Sequence, residues 1–280
     1  MTREDHRRLT GRLLPAVVAA GKLELGYFRS GCAVDRKADR SPVTIADREA
    51  EAILLAALAD IMPGIAVVSE EADAAGIRPL PTDPFVLVDP LDGTKQFVAG
   101  LPEFTVNVAV VAGGRPVYGL IYAPALADLL VTDGPDRAMR VRLDPASAEA
   151  ERADIDALAW APVTVRAPRQ SGLIAVHSRS RNQEASAAFL DGFDVAERRL
   201  LGSSYKFCLV AAGEADIYPQ VGRTSEWDTA AGEAVLVAAG GAVADMTGAP
   251  LAYGRRDAAY VNPPFVASCA PIDRLQRAAA

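Results

Sequence analysis

Apolar residues at Leu9, Leu13, Val17, Ala20, Leu23 and Tyr27 keep three-to-four spacing with Arg, Lys and Glu between them, which predicts an amphipathic helix. Arg3, Arg7, Arg8 and Arg12 ahead of LLPAVVAAG loosely imitate a secretory leader, but the helical spacing runs on past any cleavage point. A second helix is predicted in SPVTIADREAEAILLAALADIMPG, beyond a polar stretch from Asp35 to Arg40. Thr44 and Asp47 are placed there as a capping box, and Pro63-Gly64 as the stop. IAVVSEEA then reads as a strand running out into Glu70 and Glu71. Phe85 to Val88 reads as a buried strand between Pro84 and Pro90, with Asp89 and Asp92 at its exit.

FTVNVAVVAGGRPVYGLIYAPALADLLVTD predicts a meander that turns at Gly113-Gly114 and breaks at Pro124. From Asp133 to Ser171 the periodicity is lost, and a domain boundary is placed there. This predicts an N-terminal α+β domain over 1–170 that carries the carboxylates and a C-terminal α/β domain over 171–280 that completes the site. Beyond it GLIAVH, a helix from Asn182 to Leu190, DVAERRL, SSYKFCLVAAG, ADIYP and DTAAGEAVLVAAGG alternate strand and helix. Strands near Val243, Leu251 and Val266 follow. Asp228 is expected as the N-cap of the last of these helices.

With 280 residues, half of them hydrophobic, there is ample core for one large or two closely packed domains. Cys32, Cys208 and Cys269 are far apart and form no C-x-x-C, so neither a disulfide framework nor a zinc site is indicated. A cytoplasmic location, with or without association with the inner membrane, is the expectation. A formal charge of -7 argues against a nucleic-acid polymer as partner. No apolar run reaches the roughly 20 residues of a membrane span.

Two anions at one strand exit repel each other unless a cation lies between them. Hard oxygen donors without nearby His or Cys favour magnesium, which completes its shell with water and phosphate oxygens. Asp89 and Asp92 together with Glu70 therefore suggest phosphate chemistry at a sheet edge. The string Asp-Pro-Leu-Asp-Gly fits a tight turn equally well. Asp47 likewise reads as a helix cap. Ser204 and Lys206, with Ser178 and Arg179 after them, are candidates for a second phosphate; the alternatives are a capping serine and a surface lysine. His177 reads as a strand-end residue.

VSEEA, VDPLDGTK and EWDTAAG, in this order, resemble the signatures of the lithium-sensitive, magnesium-dependent phosphomonoesterases of the inositol monophosphatase superfamily. KADRSPVTIAD, VDPLDGTKQF, EFTVNVAV, GLIYAP, HSRS and GSSYKFCLVAAGEADIYP are most similar to its CysQ branch, the 3'(2'),5'-bisphosphate nucleotidases of sulfur metabolism. Lys95, Phe97 and the GSSYKFC helix start mark that branch. The resemblance implies a mixed α+β fold, a layered αβαβα sandwich of the sugar phosphatase type. It also implies hydrolysis of adenosine 3',5'-bisphosphate to AMP with two or three magnesium ions. The metal ligands implied are Glu70, Asp89, the Leu91 carbonyl, Asp92 and Asp228; Asp47, Glu70 and Thr94 would activate water, and the amides of Gly93 and Thr94 would hold phosphate. Inositol phosphates and sugar phosphates are the alternative substrates, and a binding or regulatory protein on the same fold is the non-enzymatic alternative. A haloacid-dehalogenase-type phosphatase fits less well, because its aspartates are separated by one residue where Asp89 and Asp92 are separated by two. The chain departs from the family pattern between Asp133 and Ser171 and at Glu226.

Overall fold

The computed structural model describes residues 1–37, 42–167, 172–179 and 183–278. Residues 38–41 of the KADRSPVTIAD motif, Ser171 at the expected boundary, Ser180 of HSRS and Asn182 at an expected helix start lie outside them.

The chain opens with α1 (Arg3–Ser30), whose start is closed by a capping box between Thr2 and Asp5. Two short antiparallel strands, β1 (Val34–Arg36) and β2 (Pro42–Thr44), lead into α2 (Ile45–Ile61). Then come β3 (Ala66–Ser69), α3 (Glu70–Ala74), β4 (Phe85–Asp92) and α4 (Thr94–Val98). The meander follows as β5 (Thr105–Ala112), β6 (Arg115–Ala123) and β7 (Asp128–Thr132), and continues through β8 (Ala138–Arg142), α5 (Ala148–Arg152) and β9 (Ala161–Val163). These strands form a seven-stranded sheet in the order β3 to β9, with only β3 and β4 parallel.

The rest of the chain supplies β10 (Leu173–Ser178), α6 (Gln183–Leu190), β11 (Val195–Leu201), α7 (Tyr205–Ala211), β12 (Ile217–Gln220), α8 (Glu226–Ala238), β13 (Ala242–Asp245), β14 (Phe265–Ser268) and α9 (Ile272–Ala278). Its strands make a five-stranded sheet in the order β11-β10-β12-β14-β13. One apolar core lies between α1, α2 and the first sheet, around Leu13, Leu54, Val86 and Tyr122. A second unites both sheets through α7 and α8, around Leu87, Ile121, Phe207, Val235 and Phe265. With α6 against β10 and β12, the order of layers is αβαβα, a mixed α+β fold.

Three sequence expectations need correction. The strand at Phe85 does not stop before Pro90 but runs to Asp92. Its register against β5 slips between Asp89, opposite Asn107, and Asp92, opposite Thr105, a bulge that accommodates a proline without an amide proton. The aperiodic segment after Asp133 is not featureless: β8 and β9 extend the first sheet, and their pairing partners rather than a local pattern make them strands. Leu251 is buried but forms no strand.

Candidate active site

Strand β3 ends at Ser69 and delivers Glu70 as the first residue of α3. The adjacent parallel strand β4 delivers Asp89, Leu91 and Asp92 at the same sheet edge. Asp228 arrives from across the molecule in the first turn of α8. It sits three residues inside the helix rather than at its cap, which is Ser225, and its carboxylate accepts from the Ser225 amide at 2.8 Å. One oxygen each of Glu70, Asp89 and Asp228 lies within 4.8 Å of the other two. Asp89 is buried; Oδ1 accepts from the Leu91 amide at 3.1 Å, and Oδ2 has no hydrogen-bond partner among the described residues. Burial, then the charges of Glu70, Asp92 and Asp228, push its carboxyl well above the usual range. A buried oxygen without a donor, facing other carboxylates in an all-oxygen set, fits a hard divalent cation.

Asp92 stands beside this group rather than in it: one of its oxygens accepts from the Ser204 amide, and it lines the same cleft of about 600 Å³. Gly93 makes the turn into α4 at φ 98°, where an added Cβ would meet the Glu103 carbonyl at 3.0 Å and Ser203 Cβ at 3.1 Å. That turn brings Thr94 Oγ1 to 3.0 Å from Asp47 Oδ1 and 3.3 Å from the Leu91 carbonyl. The other Asp47 oxygen accepts from the amide and the hydroxyl of Thr44, both at 2.7 Å. Asp47 therefore closes the capping box of α2, whose N-cap is Thr44, and is at the same time the partner of Thr94. Burial raises its pKa although the Thr44 and Thr94 donors pull the other way.

Lys206 lines the cleft but is not a surface lysine. It is 3% exposed, its ammonium sits 5.0 Å above the Tyr218 ring, and it donates to the Ser203 carbonyl. Ser204 makes no side-chain cap bond; its hydroxyl donates to Asn107 Oδ1 at 2.8 Å and lies 2.7 Å from Thr105 Oγ1. Ser178 is buried at the end of β10 and reaches the cleft. Arg179 donates instead to Glu103 and to the Leu200 carbonyl, both at 2.8 Å, and is not among the described residues lining the cleft. His177 is buried within β10, and burial lowers its pKa.

Residues 7–271 match the model of the inositol monophosphatase family. The chain belongs to this family. It is 39% identical over 230 residues to a protein named 3'(2'),5'-bisphosphate nucleotidase CysQ from Salmonella typhimurium, covering 82% of this chain and 86% of the relative. A protein of the same name from Haemophilus influenzae is 28% identical, over 95% of this chain and 94% of its own. Among solved structures, CysQ from Bacteroides thetaiotaomicron superposes with a TM-score of 0.73 at 34% identity, covering 92% of this chain and 96% of that one. An inositol monophosphatase from Thermotoga maritima superposes with a TM-score of 0.74 at 23% identity, over 95% and 94% of the two chains, a likeness of fold.

Against this family background, two residues take roles that the sequence did not reveal. Lys37 donates to Glu70 Oε1 at 2.5 Å and Glu71 Oε1 at 2.6 Å. Burial alone would lower its pKa, but the two carboxylates outweigh it and hold the ammonium above its ordinary value. Burial in turn pushes Glu71 up to about 7 against the pull of Lys37. No local pattern marks Lys37, because its partners lie 33 and 34 residues away. Glu226, the extra acid beside Asp228, turns away from the carboxylate group and accepts from the amides of Gly254 at 2.6 Å and Arg255 at 2.8 Å. It anchors that loop.

Proposed function

We propose that this chain is a magnesium-dependent phosphomonoesterase that converts adenosine 3',5'-bisphosphate to AMP and phosphate, a reading supported by relatives named 3'(2'),5'-bisphosphate nucleotidase CysQ. The observation that carries the reading is the convergence of Glu70, Asp89 and Asp228 within 4.8 Å beside the Thr94–Asp47 pair. Glu70, Asp89 and Asp228, with Asp92 and the Leu91 carbonyl at the same edge, would hold two or three ions. When bound, magnesium neutralises these carboxylates and the phosphate and lowers the pKa of water.

The chain's own part is to place the phosphate and move a proton. The amides of Gly93 and Thr94 hold the phosphate at the start of α4. A water oxygen bonds to phosphorus as the bond to the ribose 3'-oxygen breaks, and that oxygen takes a proton from a solvent water in the cleft to leave as the 3'-hydroxyl. The water proton passes to Thr94 Oγ1, whose own proton moves to Asp47, and Glu70 orients the water. Burial already favours the protonated form of Asp47, which suits it to receive that proton. Lys206, buried in the cleft over Tyr218, meets the second phosphate, and Ser178 lies beside it. Ser204 supports that site through Asn107 and Asp92, and Arg179 supports it through Glu103.

The chain is read as two units, 1–170 and 171–280, with the carboxylates of the first completed by Asp228 of the second. No helix among the described residues is long and apolar enough to cross a membrane, and the reading places the enzyme in the cytoplasm.

Phosphate release from adenosine 3',5'-bisphosphate, phosphoadenylylsulfate, inositol 1-phosphate and fructose 1,6-bisphosphate at fixed magnesium tests the reading. The first should show the highest kcat/KM, and a chelator should abolish all turnover. A preference for inositol 1-phosphate would overturn the nucleotidase assignment and leave the metal chemistry standing.

A further inference from the structure

Glu51 lies one helical turn after Asp47 on α2, so the two side chains leave the same face of the helix. It is 9% exposed, and its Oε1 accepts from the amides of Glu71 at 3.1 Å and Ala72 at 3.3 Å. These amides belong to the first turn of α3, where no carbonyl of the helix itself can serve them. The residue that ordinarily would is the N-cap. Ser69 occupies that position, makes no cap bond, and its buried hydroxyl has no partner among the described residues. The cap of α3 is thus supplied from α2.

The consequence concerns Glu70, the first residue of α3. A helix of five residues has too few internal bonds to hold its own position, so its orientation is set by what docks it. The same face of α2 then fixes both sides of the catalytic centre: Asp47 holds Thr94, and Glu51 holds the turn that carries Glu70. We propose that Glu51 is a positioning residue for the metal site, setting Glu70 in register with the Thr94–Asp47 pair by capping α3 from α2. This rests on the reading of Glu70 as a metal ligand.

Two substitutions separate amide capping from charge. Glu51→Gln keeps an acceptor oxygen at the same reach and removes the charge; Glu51→Asp keeps the charge and withdraws the oxygen by one methylene. Magnesium binding to the substrate-free protein is measured by titration calorimetry, with folding checked by circular dichroism. Glu51→Asp should weaken magnesium binding by roughly tenfold or more, and Glu51→Gln by no more than about twofold, in line with losses seen when ligand-orienting partners are removed. At saturating magnesium the KM for substrate should be unchanged in both. The proposal is overturned if Glu51→Asp binds magnesium like the parent, or if Glu51→Gln loses as much as Glu51→Asp. Failure of the unsubstituted protein to bind magnesium would instead overturn the metal reading on which it depends.

Discussion

Thr94 Oγ1 donates to Asp47 Oδ1 at 3.0 Å, joining the start of α4 to the first turn of α2 across 47 residues of chain. The other Asp47 oxygen is engaged by Thr44, so one carboxylate serves a helix cap and a hydroxyl in the cleft together. The two duties are separable by substitution.

If Thr94 and Asp47 act as one proton path, removing either removes most of what the other does. Thr94→Ala, Asp47→Ala and the double variant should each lose turnover by roughly 10²-fold or more, with little further loss in the double. Only the variants lacking Asp47 should also lose about 1 kcal/mol of stability, the worth of a cap. Additive losses in steady-state kinetics would break the pairing.

Asp89 sits at the centre of the carboxylate group and has an oxygen without a donor. Asp89→Asn should abolish turnover while keeping the fold, since it relieves repulsion among acids in the metal-free protein. Magnesium at about 100 times its Kd should stabilise the parent by roughly 2.7 kcal/mol in thermal melts and leave Asp89→Asn unshifted. A parent-like shift in the variant would show that Asp89 is not a ligand.

The substrate distinction rests on Lys206. Lys206→Met keeps the aliphatic stem over Tyr218 and removes the charge. KM for adenosine 3',5'-bisphosphate should rise roughly tenfold or more, about 1.4 kcal/mol, with hydrolysis of a monophosphate nearly unchanged. Equal losses on both substrates would place Lys206 at the scissile phosphate or in the core.

Lithium offers a test of family mechanism without mutation. From the family resemblance, lithium should inhibit at concentrations where sodium does not, and equal insensitivity to both salts in a phosphate-release assay would count against it.

Glu24 is fully buried in α1, and neither carboxylate oxygen has a hydrogen-bond partner among the described residues. Burial, and then the nearby charge of Asp47, raise its pKa well above the ordinary value of 4.5; the Tyr122 hydroxyl also lies within its field. The folded chain therefore keeps a proton that the unfolded chain releases. Its contribution is whole below the unfolded pKa and is lost as pH rises toward the folded one. Glu24→Leu should stabilise by about 1–3 kcal/mol, the penalty of an unpaired buried polar group. By urea unfolding the gain should be larger near about pH 8 than near about pH 5, and a gain independent of pH would refute the raised pKa.

Local patterns along the chain already determined the amphipathic α1, the Thr44–Asp47 capping box, the meander after Phe104 and the two strands that run out into acids. Each depends on periodicity or on neighbours within one turn of chain, which a sequence displays directly. The order of motifs was also sufficient to place the chain in its family. Only the tertiary structure decided what the long-range partners are. β8 is a strand because β7 pairs with it, and β9 because β8 does. Lys37 matters because Glu70 and Glu71 fold onto it, and Glu51 because α3 lies against α2. Lys206 reads equally as a phosphate ligand or a surface lysine until Tyr218 closes beneath it, and Glu226 reads as a further acid until the Gly254 and Arg255 amides claim it. The reason is the same in each case: a charge takes its meaning from what surrounds it, and packing rather than sequence spacing brings those surroundings together.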